Sequence, residues 1–260
     1  MNKIPDNLSR TTCLGALLLG LLLLMSCKPS TPPPDEADPD KPVAGYVTGK
    51  VVDTQGRPLE RAAIFVDNTL YYNANLLGNT NANGQYRIQT GNGSWQVTAQ
   101  VKRIYNSKRY ELDLEPDNTN AFAGADGAVR NFTWKLSGEK PDNPGAFYGA
   151  TVDVTSAPGV GPYDIENIDF TFTPVGPLID GSAGKTLVLQ YSYDYNCIPD
   201  VPIGRYKITA VYKPTGTRLL VRNRVNGSYS DDGSVTMDFY GAEPYWSQKN
   251  CMFLEYRLPE

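Results

Sequence analysis

Tyr191, Tyr193 and Tyr195 recur at every second position of the run LVLQYSYDYN. On an extended strand this spacing puts three phenol rings on one face, about 6.7 Å apart. Rings spaced in this way can stack on successive sugar units. A strand is expected over Lys185 to Tyr195, and Leu187 and Leu189 share the tyrosine face. The same pattern therefore also describes an inward face whose last rings reach the rim of a sheet. Tyr245 and Trp246 extend the candidate ligand site, while Tyr71, Tyr72 and Tyr105 offer a second aromatic patch. With seventeen Tyr against eight Phe, the chain favours rings that pack on one side and keep a hydroxyl in water.

Other chemistries are excluded or left without a site. The chain contains no His, which removes the commonest general base, the Ser-His and Cys-His nucleophile arrangements and imidazole zinc sites. Asp231-Asp232-Gly233 reads as a turn, and Asp164 and Glu166 flank a strand start; no acidic pair stands out as a glycosidase pair. Asn79 to Gly84 has the alternating polar spacing of a calcium loop. Its would-be ligands are all neutral, so Asn83-Gly84 is expected to be a hairpin turn. No catalytic residue, metal or cofactor is assigned, and an enzyme is not expected. The net charge of −4, with no run of Lys or Arg, argues against a nucleic-acid partner.

The N-terminus reads as an address. Lys3 and Arg10 precede the apolar segment Leu14 to Met25, which is too short for a comfortable membrane span and has the layout of a signal peptide. Leu24-Met25-Ser26-Cys27 resembles a bacterial lipobox. That resemblance implies a signal peptide over 1–26 and a lipidated Cys27, which would hold the protein on a membrane by its acyl chains. Residues 27–43 then form the anchor and an acidic tether whose six Pro favour an extended chain reaching roughly 45 Å. The expected location is the envelope of a Gram-negative bacterium, on the outer membrane.

Beyond the tether, short apolar runs alternate with Gly, Pro, Asn and Asp, the pattern of an all-β sandwich. GKVVDTQGRPLERAAIFV (49–66), NANGQYRI (81–88) and GSWQVTAQV (93–101) together resemble the carboxypeptidase regulatory-like domain, a transthyretin-like, Ig-like antiparallel β-sandwich. The resemblance implies a fold and no reaction. GRYKITAVY (204–212) echoes GSWQVTAQV, Gly149 to Asp153 echoes Gly49 to Asp53, and Ser234 to Phe239 is matched with Val129 to Trp134. The expected organisation is a first sandwich over 44–138, a linker over 139–145 and a divergent second sandwich over 146–260.

Cys13 leaves with the signal and Cys27 takes the lipid, so Cys197 and Cys251 remain. In an envelope compartment these two are expected to pair and to contribute about 4 kcal/mol by closing a long loop. A free or metal-bound pair is the alternative. The functional expectation is a non-catalytic binding module held on a membrane by its lipid anchor, with glycan as the first ligand. The alternatives are a structural or adaptor subunit that docks another envelope protein and, more distantly, a carboxylate-dependent hydrolase.

Overall fold

The computed structural model describes residues 41–243 and 248–260, all within one compact unit. Cys27, Tyr245 and Trp246 lie outside the described residues. The described chain forms two tandem β-sandwiches.

The first sandwich begins with β1 (Tyr46–Val52), β2 (Ala63–Asn68), β3 (Asn75–Asn79), β4 (Gln85–Gln89), β5 (Ser94–Tyr105) and β6 (Lys108–Asp113). It is completed by the two-residue strands β7 (Glu115–Pro116), β8 (Phe122–Ala123), β9 (Ala128–Val129) and β10 (Phe132–Thr133). Period-two alternation builds these strands: on β5, Trp95, Val97, Ala99 and Val101 are buried while Gln96 and Thr98 face water. One sheet has the order β4-β1-β10-β7, with β9 also on β1. The facing sheet has the order β3-β2-β5-β6, with β8 on β5. β9 and β10 run parallel to β1. At Gly49 a side chain is impossible, because a Cβ would stand 1.8 Å from the Arg130 carbonyl oxygen.

The second sandwich comprises β11 (Ala150–Ser156), β12 (Ile168–Pro174), β13 (Leu187–Leu189), β14 (Ile198–Val201), β15 (Arg205–Tyr212), β16 (Thr217–Asn223), β17 (Val235–Asp238) and β18 (Cys251–Arg257). Its path is β13-β12-β15-β16-β18-β11-β14, with β17 on β15. β16 changes partner midway. Thr217 to Leu219 pair with β15 and Leu220 to Asn223 pair with β18, so one strand carries the sheet from one layer into the other.

The connections repeat those of the first sandwich. β14-β11-β18 matches β4-β1-β10, including the parallel pair, and β13-β12-β15-β16 matches β3-β2-β5-β6. The echo at 93–101 and 204–212 is in phase, since Trp95, Val97 and Ala99 are buried like Tyr206, Ile208 and Ala210. The echo at 49–53 is one residue out of phase, because β1 points Val47, Gly49 and Val51 inward whereas β11 points Ala150, Val152 and Val154 inward. A one-residue slip turns every side chain to the other face, and only the pairing partners fix that choice. Ser234 to Phe239 does not take the place of Val129 to Trp134. β17 lies on β15 as β8 lies on β5, and β18 takes the position of β10.

β18 is buried on both faces from Cys251 to Tyr256. Met252, Leu254 and Tyr256 enter the core. On the other side Phe253 lies under the Tyr240 ring at 5.7 Å and the Arg224 guanidinium at 5.1 Å. The Glu255 carboxylate accepts from Arg222 and from the Tyr229 hydroxyl, both at 2.7 Å.

The sandwiches meet along β6, the edge of the first. The Arg109 carbonyl accepts from the Ala242 N–H at 2.6 Å, and the Glu111 carbonyl accepts from the Asn250 side chain at 2.8 Å. The buried Tyr110 hydroxyl donates to the Phe239 carbonyl at 2.8 Å, which also accepts from Lys108 at 3.0 Å. Asp200, held at φ 59°, accepts from the Gly138 and Gly149 N–H groups. Tyr105 donates to the Pro177 carbonyl and accepts from the Arg205 N–H. Tyr105 thus belongs to the contact between the sandwiches and not to a patch with Tyr71 and Tyr72, which sit at the other end of the first sandwich.

Tyr110→Phe is expected to lower stability by about 1 kcal/mol, because Lys108 still serves the Phe239 carbonyl. Adding Lys108→Met should cost about 1 to 3 kcal/mol more by leaving that carbonyl without a donor. Urea unfolding of the single and double variants measures both steps.

Candidate functional site

The run that carries the tyrosines is a strand only at Leu187–Leu189. After it the chain turns: the Ser192 N–H donates to the Cys197 carbonyl at 2.9 Å and the Cys197 N–H returns to Ser192 at 3.3 Å. Tyr193 to Asn196 form the turn between them, with Asn196 at φ 53°. The expected ladder over Lys185 to Tyr195 is therefore not formed, because a hairpin tip breaks the alternation. Leu187, Leu189 and Tyr191 pack against the core, as an inward face would. Tyr193 turns the other way. Its ring meets Tyr191 edge-on at 5.4 Å, and its hydroxyl donates to Glu166 at 2.8 Å.

Tyr195 stands on the opposite flank of the hairpin and packs edge-on against Phe147, 5.2 Å between centroids at 88°. These two rings wall a groove of about 450 Å³ over the outer face of β11. Thr151 and Asp153 lie on its floor, with Asn196, Cys197 and Gln248 around it. Asp153 is gripped by Arg224 through two guanidinium nitrogens, each at 3.1 Å. The acid is thereby neutralised but keeps lone pairs for hydroxyl donors. Apolar ring faces beside a paired carboxylate and two side-chain amides make a surface that suits a polyhydroxylated ring.

Of the candidate residues, the fold brings Tyr195 and Cys197 into this groove and sends Tyr191 and Tyr193 elsewhere. Phe147, Asp153, Arg224 and Gln248 were not foreseen. An aromatic pair just after Pro144-Gly145 was a usable signal for Phe147, whereas the Asp153–Arg224 pair spans 71 positions and left none.

Cys197 and Cys251 are both buried and both free thiols, so the expected disulfide is not formed. The reason is strand order: β11 lies between β14 and β18. Cys197 precedes the β14 residue that faces Val152, and Cys251 faces Thr151. Two strand spacings, about 9.6 Å, separate them, beyond the roughly 7 Å limit for bridged Cα atoms. Burial, with the Asp153 charge nearby, raises both thiols, Cys251 to about 11. Neither is a thiolate near neutrality, which argues against a nucleophile.

Among the described residues no group of three or more His, Cys, Asp or Glu side chains could hold a metal ion, and no helix is long and apolar enough to cross a membrane. Between β3 and β4 the chain turns, with Asn81 Oδ1 accepting from the Asn83 and Gln85 N–H groups, but the turn is not the expected hairpin, because β3 and β4 pair in facing sheets.

Fold and groove define a class, a tandem β-sandwich with an aromatic-walled surface site. No family model matches the chain, and no curated protein does. Among solved structures it is similar to the Bacillus anthracis TIE protein over 83% of this chain and 34% of that one, at 12% identity and a TM-score of 0.32. A streptococcal ancillary pilin aligns over 84% of this chain and 63% of its own, at 11% identity and a TM-score of 0.25. A single B repeat unit of the collagen-binding surface protein of Staphylococcus aureus aligns over 85% of this chain and 100% of its own, at 10% identity and a TM-score of 0.21. The chain spans about a third of the length of the first of these.

Two outcomes are expected. An alkylating reagent should leave Cys197 and Cys251 unmodified in the native protein and label both in denaturant, as read by intact mass. The second concerns pH. Burial alone would raise the Glu255 carboxyl, but the Arg222 and Tyr229 hydrogen bonds and the nearby guanidinium charges outweigh it and the net shift is downward. Stability from a depressed carboxyl is full above the unfolded value, about 4.3, and is lost as pH falls through the folded one. Stability should therefore fall below about pH 4.3, and Glu255→Gln should flatten part of that slope in unfolding curves taken across pH.

Proposed function

We propose that this chain is a non-catalytic bacterial envelope protein, anchored by lipid at Cys27, whose second sandwich binds glycan in the groove beside Tyr195. The observation that carries the reading is the Phe147–Tyr195 wall facing Asp153, Asn196 and Gln248 across about 450 Å³. The non-catalytic part is supported by how Asp153 in the groove and Asp164 and Glu166 elsewhere in the second sandwich are used. Asp153 pairs with Arg224, Asp164 accepts from Tyr212 and Asn167, and Glu166 accepts from Tyr193. A carboxylate engaged in this way is a poor general base.

A second reading, an adaptor that docks another envelope protein, has one observation in its favour. β3 ends its sheet, and its Leu77 is 70% exposed, so a partner strand could add there.

The test is a glycan array followed by titration calorimetry, with the parent beside Tyr195→Ala. Losing a stacking ring worth about 1 to 1.5 kcal/mol should weaken binding roughly tenfold. Binding that Tyr195→Ala leaves unchanged would move the site elsewhere. Silence across the array would favour the adaptor, which crosslinking in the native envelope would then seek.

A further inference from the structure

The loop from β2 to β3 presents three large side chains to solvent: Leu70 is 67% exposed, Tyr71 69% and Tyr72 102%. Thr69 to Ala74 carries no charged residue. The tip is built to hold its shape. Asn68 Oδ1 accepts from the Leu70 and Tyr71 N–H groups at 2.9 and 3.1 Å, and the Asn68 N–H closes the loop on the Ala74 carbonyl. The Thr69 N–H donates to Ser94, and Asn73 supplies the left-handed corner at φ 57°. A braced backbone thus carries an apolar tip that the described residues leave uncovered.

Its place in the sandwich indicates what covers it. The chain enters the first sandwich at this same end. Gly45 donates to the Gly124 carbonyl, Gly124 donates to the Gly93 carbonyl, and the adjoining Ser94 holds Thr69. The second sandwich packs at the opposite end, around the β5–β6 turn, where Asn106 bonds Asp238 and Tyr105 bonds Pro177. The described chain therefore begins, at residue 41, on the side of the tip. In the sequence, Cys27 precedes the start of the first sandwich at residue 44 by seventeen positions.

We propose that the Leu70-Tyr71-Tyr72 tip seats in the headgroup region of the bilayer that carries the anchor and so sets the standing orientation of both sandwiches. This rests on the lipid-anchor reading above. The chemistry fits: Tyr places its ring at the acyl boundary and its hydroxyl in water, and the leucine adds apolar area without a charge to desolvate. The anchor keeps the sandwich within reach of its tether, so a second membrane contact adds to it without the entropic cost of a separate encounter.

The test uses the full chain, processed with its own N-terminus and reconstituted into phosphatidylethanolamine–phosphatidylglycerol vesicles. Tyr72→Cys carries an environment-sensitive fluorophore, and Thr215→Cys on the second sandwich is the control. Cys197 and Cys251 are buried, and an acylated Cys27 carries no free thiol, so on acylated, folded protein the labelled position is unique. The expected result is a blue shift and quenching by brominated acyl chains at position 72, with neither at 215. An aqueous probe at 72 on protein whose intact mass shows acylated Cys27 overturns the seated tip and leaves the anchor standing. A mass without acyl chains overturns both. A shift at 72 that appears only when another envelope protein is added, with crosslinking to it, overturns the membrane as occupant.

Discussion

An edge strand of a sheet presents carbonyl and amide groups that need partners, and β6 is such an edge. The rest of this protein depends on how that edge is satisfied. Ala242 and Asn250 give hydrogen bonds to the Arg109 and Glu111 carbonyls, while Tyr110 and Lys108 return them to Phe239. The exchange runs both ways and part of it is buried, so breaking one side strands polar groups on the other. The close approach leaves no room at Gly241, where a Cβ would come within 2.2 Å of the Arg109 carbonyl oxygen.

This junction also organises the surface. It fixes the second sandwich at one end of the first and leaves the other end, where the chain enters, to the uncharged Leu70-Tyr71-Tyr72 tip. The connection between the sandwiches is drawn tight by Asp200, which takes N–H groups from Gly138 and Gly149 and so anchors both ends of the segment containing Phe147. Phe147 is thereby brought over β11 to meet Tyr195. One wall of the groove exists because the linker is pinned.

The repeated topology explains why β18 matters out of proportion to its length. In the first sandwich the matching place is filled by the two-residue β10, parallel to β1. In the second it is filled by seven residues buried on both faces. A strand covered on both sides can carry Glu255 only because Arg222 and Tyr229 meet the carboxylate, and it can carry Phe253 only because Tyr240 and Arg224 roof it. The free thiol of Cys251 is part of that roofed face, which also accounts for its inertness.

Much of the fold was legible in the amino-acid order. Alternation along Ser94 to Val101 and Gly204 to Tyr212 marked two long strands, because a period of two is a local property of the extended chain. That the chain turns at Asn81 to Gly84 was local in the same way, but the expected hairpin was not formed, because β3 and β4 belong to facing sheets. What failed were statements about residues distant in sequence. Whether Cys197 meets Cys251 depends on which strand lies between them, and β11 does. The tyrosine alternation was real in the sequence, but a hairpin closed by Ser192 and Cys197 bent it, sending Tyr193 to Glu166 and Tyr195 to Phe147. The inward phase of β11 was decided by β14 and β18. Sequence by itself determined the period, the turns and the all-β sandwich class, since backbone sterics and hydrophobic alternation act over a few residues. Only the tertiary structure decided strand order, the faces of β11 and the composition of the groove, since these are set by pairings across 40 to 100 positions that no local pattern encodes.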